Sequence, residues 1–447
     1  MRALSSRWKA FVGGSPLRRL GHDALVVSST SLAARFLGFL KEVAIAAHFG
    51  LSDAVDIYLV AVVLIGFPLS ILLNAVQTAL VSVIAGRTET FRDVGQLLTT
   101  TILVTSACLL VLLPIWLLVL PWLFPLLVSG FAAAKQAELL FALYWLIPYY
   151  FLNAVNLLGY SALQANRRYF ASGMLPLATP VITILVVVLA GAGGGWRPLV
   201  VALVAGTATE TLMLLVALYR AGHIARPRIY NFPAFGAVVR HGLALIPGTF
   251  MTAVGPAAEQ AIAASLGVGT NATLGYGYKL PSALMSLSVT AMGIIALPYF
   301  AEQIAQQRFE YCLHSLNRIA YGALLVGIAL ALPCGWFSEE IVAALYQRGA
   351  FDYDSVLRVA PVQVAYFAQI PFALVAMLGA RTLSALGRNG LVSVYTVCVL
   401  AFQIALAYIL GVRFDAFGIA LAAAFGYAVL AALSFTSARR VLKRFLR

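Results

Sequence analysis

Apolar residues in this chain do not alternate with polar ones at the periods of half-buried strands or helices. They form runs of about twenty or more, separated by short polar segments. Read in windows of about twenty residues, these runs predict twelve helical spans, near 24–49, 55–84, 95–125, 135–164, 169–191, 196–220, 237–266, 271–303, 312–337, 357–387, 391–412 and 416–438. Several are longer than a bilayer requires, which implies tilt, bending or extension past the hydrocarbon core. Pro68, Pro148, Pro180, Pro247, Pro256, Pro281 and Pro371 lie inside the runs. Each removes a backbone donor and should bend its helix. The pattern therefore predicts an all-α polytopic membrane protein of about 12 transmembrane helices.

Two internal matches predict a duplication. Residues 42–50 (EVAIAAHFG) read without a gap against 259–267 (EQAIAASLG). Ile147, Pro148, Ser161, Ala162, Leu163 and Asn166 recur at one offset as Ile370, Pro371, Ser384, Ala385, Leu386 and Asn389. One match falls in the first helix of each half and the other in the fourth, so six helices repeat as six. An even number of spans gives both halves the same orientation, with a pseudo-twofold along the membrane normal and the substrate site expected between the halves. The resulting organisation is an N-terminal lead over 1–23, a six-helix lobe over 24–222, an inter-lobe loop over 223–236, a second lobe over 237–438 and a basic tail over 439–447.

Composition narrows the class. Charged residues are 10% of the chain against about a quarter in soluble proteins, and the mean hydropathy is +0.94, so no room remains for a soluble catalytic domain. The net charge of +14 might point to nucleic acid, but the basic residues track topology instead. Segments predicted inside hold basic residues about four to one over the outer loops, where only Lys135, Arg197, Arg348, Arg358 and Arg413 fall. That asymmetry places the lead, the inter-lobe loop, the tail and both termini on the cytoplasmic side of a multi-pass membrane protein. The basic N-terminal lead has no small-residue cleavage site and reads as an amphipathic lead rather than a signal peptide. Cys108, Cys312, Cys334 and Cys398 have no metal-ligand spacing and read as packing residues.

The candidate chemistry lies in charges stranded inside spans. An Arg or Lys at the centre of a bilayer costs about 2.5 kcal/mol or more, so such residues usually face a bundle interior or a water-filled path. The first span carries Arg35, Lys41 and Glu42. Arg35 and Glu42 are seven residues apart and share a helix face, so Glu42 is expected to hold Arg35 while Lys41 points about a hundred degrees away. Cations kept at mid-depth suit an anionic head group such as a phosphate; an internal ion pair that only fixes packing is the structural alternative. Asp56 opens the second span and reads either as its N-cap or as a gating or cation-coupling group. Glu259 sits alone in the seventh span, expected to pair with Lys279 or else to hold a cation or proton. Lys279, between Tyr278 and Pro281 in the eighth span, is a second candidate for a diphosphate, with snorkelling as the alternative. Glu210 in the sixth span is expected to bond locally with Thr211 or to take part in coupling, and Arg381 in the tenth to snorkel or to meet substrate.

No catalytic grouping stands beside these charges: the histidines lack metal spacing, and no Ser/His/Asp set or phosphate-binding Gly loop is present. The stretch 338–351 reads as an amphipathic helix on the outer membrane face.

Several stretches resemble the MviN/MurJ lipid II flippases of the multidrug/oligosaccharidyl-lipid/polysaccharide exporter superfamily. The carriers are 31–42 (SLAARFLGFLKE) with Phe49, Gly50 and Asp56, then 276–281 (YGYKLP) running to Leu297 and Pro298, 345–351 (LYQRGAF) and 380–386 (ARTLSAL), spread over both halves. The resemblance implies a flippase that moves a polyprenyl-diphosphate-linked saccharide to the outer leaflet by alternating access, with membrane lipids and glycan-pathway membrane enzymes as partners and no nucleic acid. It implies a place in the bacterial inner membrane, that Arg35, Lys41 and Lys279 meet the diphosphate, and that Glu42 and Asp56 stand at acidic positions of the family. The in-span charges themselves add Arg381 as a substrate-binding candidate and make Glu42, Asp56, Glu259 and Glu210 the candidates for gating or ion coupling, with no cofactor expected beyond coupling to Na+, H+ or the membrane potential. Lys41 and Lys279 stand where the family usually has arginine, and the second-span stretch 67–71 (FPLSI) lacks the family's arginines. The chain also ends after about twelve predicted spans where the family usually has two more. An exopolysaccharide or O-antigen repeat unit is therefore an expected cargo beside lipid II, and a cation-coupled multidrug or metabolite exporter is the alternative function.

Overall fold

The computed structural model describes residues 16–85, 91–165, 168–222 and 233–446. The basic lead before residue 16 and most of the predicted inter-lobe loop lie outside these residues. Among the described residues no β-strand forms, and the extended pairing is a single isolated bridge between Arg348 and Phe351. The helices are α1 (Pro16–Phe49), α2 (Asp53–Ala85), α3 (Phe91–Leu127), α4 (Ala133–Trp145), α5 (Ile147–Ala165), α6 (Tyr169–Met174), α7 (Ala178–Ala190), α8 (Arg197–Arg220), α9 (Pro233–Leu266), α10 (Thr270–Ala305), α11 (Phe309–Trp336), α12 (Ser338–Tyr346), α13 (Tyr353–Ala385) and α14 (Asn389–Arg444). Among the described residues eight stretches are long and apolar enough to cross a membrane, and the pair α4–α5 makes a ninth. That pair bends by 45° just before Pro148, whose fixed φ suits the first turn of α5. The set leaves out α1 and α10, the two helices that carry Arg35, Lys41, Glu42 and Lys279.

At 56 residues α14 would run about 84 Å if straight, far more than a bilayer needs. It reverses instead. Asp415 takes a left-handed φ of 53°, Gly411 and Ile419 come into contact, and Tyr395 Oη lies 2.7 Å from Ser437 Oγ. The element is thus two antiparallel helices meeting at the break between the predicted spans 391–412 and 416–438.

The duplicated segments end alike. α1 stops at Phe49 before Gly50 (φ 54°), and α9 stops at Leu266 before Gly267 (φ 156°), backbone that a side chain would strain. The following helices begin at Asp53 and Thr270, in the same register as the Glu42–Glu259 match.

Packing gathers the chain into two units. One comprises 1–44, 65–118 and 144–249, the other 45–64, 119–143 and 250–447. In the first, α5, α7 and α8 pack around buried Leu158, Val187, Leu203 and Leu214. In the second, α13 is largely buried along its length, and its Val362, Ala365 and Tyr366 pack with Ile262, Leu274, Ala416, Ile419 and Ala423. Alanine at so many of these positions lets helix backbones approach closely, as membrane packing favours. Asp352 caps α13, accepting from the Ser355 N–H at 2.9 Å and its hydroxyl at 2.7 Å. These bonds hold the Asp352 carboxyl below the usual carboxylate range.

Of the stretch 338–351 read as one amphipathic helix, Ser338–Tyr346 is helical and the remainder is a turn closed by the Arg348–Phe351 bridge. In α12 the buried Ser338, Val342 and Tyr346 recur every fourth residue. The turn beyond it docks on α1 through Ala350 N–H to Ala47 O at 2.8 Å. Gly349 there has φ 59°, and an added Cβ would overlap the Ala47 carbonyl. Gly349→Ala should therefore destabilise the protein by about 1–3 kcal/mol, read as a lower thermal midpoint in detergent; an unchanged midpoint would show that this turn is not docked.

Candidate functional site

The charges singled out in the sequence do not gather in one site. In the first unit, Lys41 Nζ bonds Glu42 Oε1 at 3.1 Å, and Glu42 is 7% exposed while Arg35 is exposed. Lys41 was expected to point away from Glu42; its flexible stem lets the ammonium swing back to its chain neighbour, which a rigid count of helix angles does not capture.

Glu210 is also in the first unit. It accepts from Tyr160 Oη at 2.6 Å and from the Thr179 hydroxyl, while Thr211 bonds back to Thr207 O. The expected local bond to Thr211 is thus replaced by a tie joining α8 to α5 and α7. Gly206 brings the α8 and α7 backbones close enough for this, since a Cβ there would sit 2.9 Å from Thr179 O. Glu210→Ala would leave two hydroxyls unpaired in an apolar interface. We expect it to cost about 1–3 kcal/mol per orphaned group and to lower the thermal midpoint while the KM for cargo stays unchanged; a raised KM with unaltered stability would contradict this packing role.

In the second unit the carboxylate of Asp56, fully buried at 0% exposure, is held from three sides. Gly269 N–H donates to Oδ2 at 2.6 Å, Ala272 N–H to Oδ1 at 3.1 Å, and Lys135 Nζ to Oδ2 at 3.2 Å. Lys135 also pairs with Asp53 and lies 3.9 Å from the centre of the Phe131 ring. Asp56 therefore caps the start of α10, far away in sequence, and not its own helix. The positive end of the α10 dipole and the Lys135 ammonium together neutralise it. Thr270 Oγ1 donates to Asp415 Oδ1 at 3.0 Å, so the same helix start is also tied to the reversal in α14. In the sequence Lys135 stood only as one of the few cations of the outer loops.

The second unit also holds a cavity of about 420 Å³ lined by Glu259, Gln260, Asn271, Tyr278, Gln369, Gln403 and Tyr427, among others. Gln403 Nε2 donates to Glu259 Oε1 at 2.7 Å. The partner expected for Glu259 was Lys279; the partner found is the neutral Gln403 amide, brought across from α14. Gln369 is 1% exposed, its Nε2 has no hydrogen-bond partner, and Gln260 Oε1 likewise has none. A cavity with one carboxylate, an unused donor and an unused acceptor has the chemistry to hold water or a small cation. Lys279 is half-buried on α10, next to Tyr278, whose ring packs 4.9 Å from that of Tyr366. Arg381 is half-buried near the end of α13, and its Nε has no hydrogen-bond partner.

Comparisons with known proteins agree on one group. The lipid II flippase MurJ family profile matches residues 45–446, a stretch that includes Asp56, Glu210, Glu259, Lys279 and Arg381 and begins just after Arg35, Lys41 and Glu42. A probable lipid II flippase MurJ from Synechocystis sp. is 27% identical over 391 residues, covering 79% of this chain and 69% of the relative. Among solved structures, a lipid II flippase MurJ in an inward closed conformation superposes with a TM-score of 0.76 at 18% identity, over 94% of this chain and 89% of that one. An inward-facing multidrug transporter of the MATE family superposes at 0.75 and 12% identity, over 95% and 99%. At such identities these two structures show the fold.

Proposed function

Because this chain belongs to the lipid II flippase MurJ family, whose members are transporters and not enzymes, we propose that it carries a polyprenyl-diphosphate-linked saccharide from the inner to the outer leaflet of the bacterial inner membrane by alternating access. The family match over residues 45–446 carries this reading. It favours lipid II as cargo over an exopolysaccharide or O-antigen unit. The basic inner segments favour a topology with both termini in the cytoplasm.

The diphosphate must cross a low-dielectric region with its charge, so it needs cations along the way. Arg35, Lys41, Lys279 and Arg381 are the candidates. Arg35 and Arg381 offer a planar fork that matches two phosphate oxygens; the lysines offer only a point charge and a looser grip. Lys41 is held by Glu42, which keeps the ammonium in place until a stronger anion competes for it. Asp56 acts as a gate: any movement of 45–64 away from α10 must break its bonds to Gly269, Ala272 and Lys135. Glu210 has both oxygens occupied by hydroxyls and suits a fixed tie better than an ion carrier.

Glu259 is the candidate for coupling to H+ or Na+. Glu259→Gln should leave downhill transport intact and remove its response to an imposed proton or sodium gradient. Equal gradient dependence in the variant and the wild type would rule this role out. The flippase reading itself is tested in proteoliposomes carrying a fluorescent lipid II, scored by its protection from a membrane-impermeant quencher. Protein-dependent loss of protection is expected; export of cationic dyes with no movement of lipid II would favour the multidrug alternative.

A further inference from the structure

The cavity beside Glu259 is larger than an inorganic ion requires, and its wall is of a different kind. It lies wholly within the second unit, among α9, α10, α13 and α14, and its volume of about 420 Å³ falls in the range of small-molecule pockets, about 300–1,000 Å³. Three phenol rings, those of Tyr278, Tyr366 and Tyr427, share the wall with Glu259, and the first two meet at 4.9 Å and 59°. The faces of such rings attract cations. Leu274, Val399, Leu400 and Leu430 supply an apolar part. One oxygen of the Glu259 carboxylate accepts from the Gln403 amide, for which Gly426 leaves room: a Cβ there would sit 2.7 Å from Gln403 Oε1. Among the described residues nothing donates to the other oxygen. Gln260 Oε1 lacks a donor, and Gln369 Nε2, on a side chain only 1% exposed, lacks an acceptor. Exposed Pro256, Tyr278 and Thr396 in the lining leave the cavity an entrance.

A hard metal ion needs several oxygens at once, whereas this wall sets one half-engaged carboxylate beside apolar and aromatic surface. A protonated primary amine uses more of it. Its three N–H donors match the remaining Glu259 oxygen, Gln260 Oε1 and a phenol face, its apolar body suits the leucines, and an acceptor at its far end satisfies the Gln369 N–H. We propose that this cavity is a binding site for a small organic primary ammonium that carries a hydrogen-bond acceptor. Such an occupant touches all four helices and displaces any inorganic ion from Glu259. The inference goes beyond the coupling role proposed for Glu259 and stands on the cavity alone, whatever the cargo.

Tyramine is the probe, and 4-ethylphenol, which keeps its ring and hydroxyl and lacks the ammonium, is the control. Binding to the full chain in nanodiscs is measured by equilibrium dialysis at fixed pH and ionic strength, with uptake by empty nanodiscs subtracted. Tyramine should bind saturably and about tenfold more tightly than 4-ethylphenol. Glu259→Gln and Tyr278→Leu should each weaken tyramine about tenfold. Gln369→Leu should weaken tyramine and leave 2-phenylethylamine, which has no acceptor for that amide, unchanged. Equal affinity for tyramine and 4-ethylphenol, or tyramine binding unaltered by both Glu259→Gln and Tyr278→Leu, would overturn the inference. The comparison of the two compounds on the wild-type chain needs no variant, so it decides the matter even where a substitution prevents folding. Neither a gradient nor cargo is present, so failure here is distinct from failure of the coupling role or of the flippase reading.

Discussion

Arg35→Ala should lower transport on the order of a hundredfold while the amount of folded protein in the membrane stays the same. The side chain is exposed, so its loss opens no cavity in a packed interface. The effect falls on the head group: removing a fork that pairs with a diphosphate in a poorly hydrated path strands charge on the cargo. Arg35→Lys keeps the charge and loses the fork, and should recover part of the activity. Quantifying outer-leaflet cargo and membrane-embedded protein in the same cells separates the two effects. Near wild-type transport by Arg35→Ala would remove this residue from the cargo path.

The second large effect is expected at Asp56. Asp56→Ala removes a fully buried carboxylate from the Lys135 ammonium and from the Gly269 and Ala272 N–H groups. Breaking a buried pair by removing one partner costs about 3–5 kcal/mol, so the thermal midpoint should fall sharply. Lys135→Met in the same chain removes the stranded charge and should restore part of the loss. The restoration is partial because Lys135 also pairs with Asp53, and because two N–H groups at the start of α10 stay uncapped. Additive losses in the double variant would show that Asp56 and Lys135 are not coupled.

The helices were legible in the sequence because apolar runs of this length leave little choice in a bilayer, and the reversal at Asp415 shows as the polar break at Arg413 and Asp415 between two runs. In-span charges were equally visible: any Arg, Lys or Glu stands out against such a background. Their partners were not. Spacing along one helix reports only local neighbours, so Asp56 read as a cap for its own helix while its N–H donors lie in another element. Lys135 read as one of few outer-loop cations, with nothing local to tie it to Asp56. Gln403 is neutral and unremarkable in sequence, yet it occupies the carboxylate assigned to Lys279. Glu210 failed in the same way, since Tyr160 and Thr179 reach it from helices that only folding brings near.

The measurement that bears most directly on the central claim is complementation. This chain is expressed in cells depleted of their own lipid II flippase, and lipid II is assayed in the outer leaflet. Rescue of growth together with outer-leaflet lipid II is the predicted result, and it would show that an uncharged 67–71 stretch and lysines at 41 and 279 suffice for the diphosphate. Folded protein in the membrane with lipid II retained in the inner leaflet would contradict the assignment of this cargo.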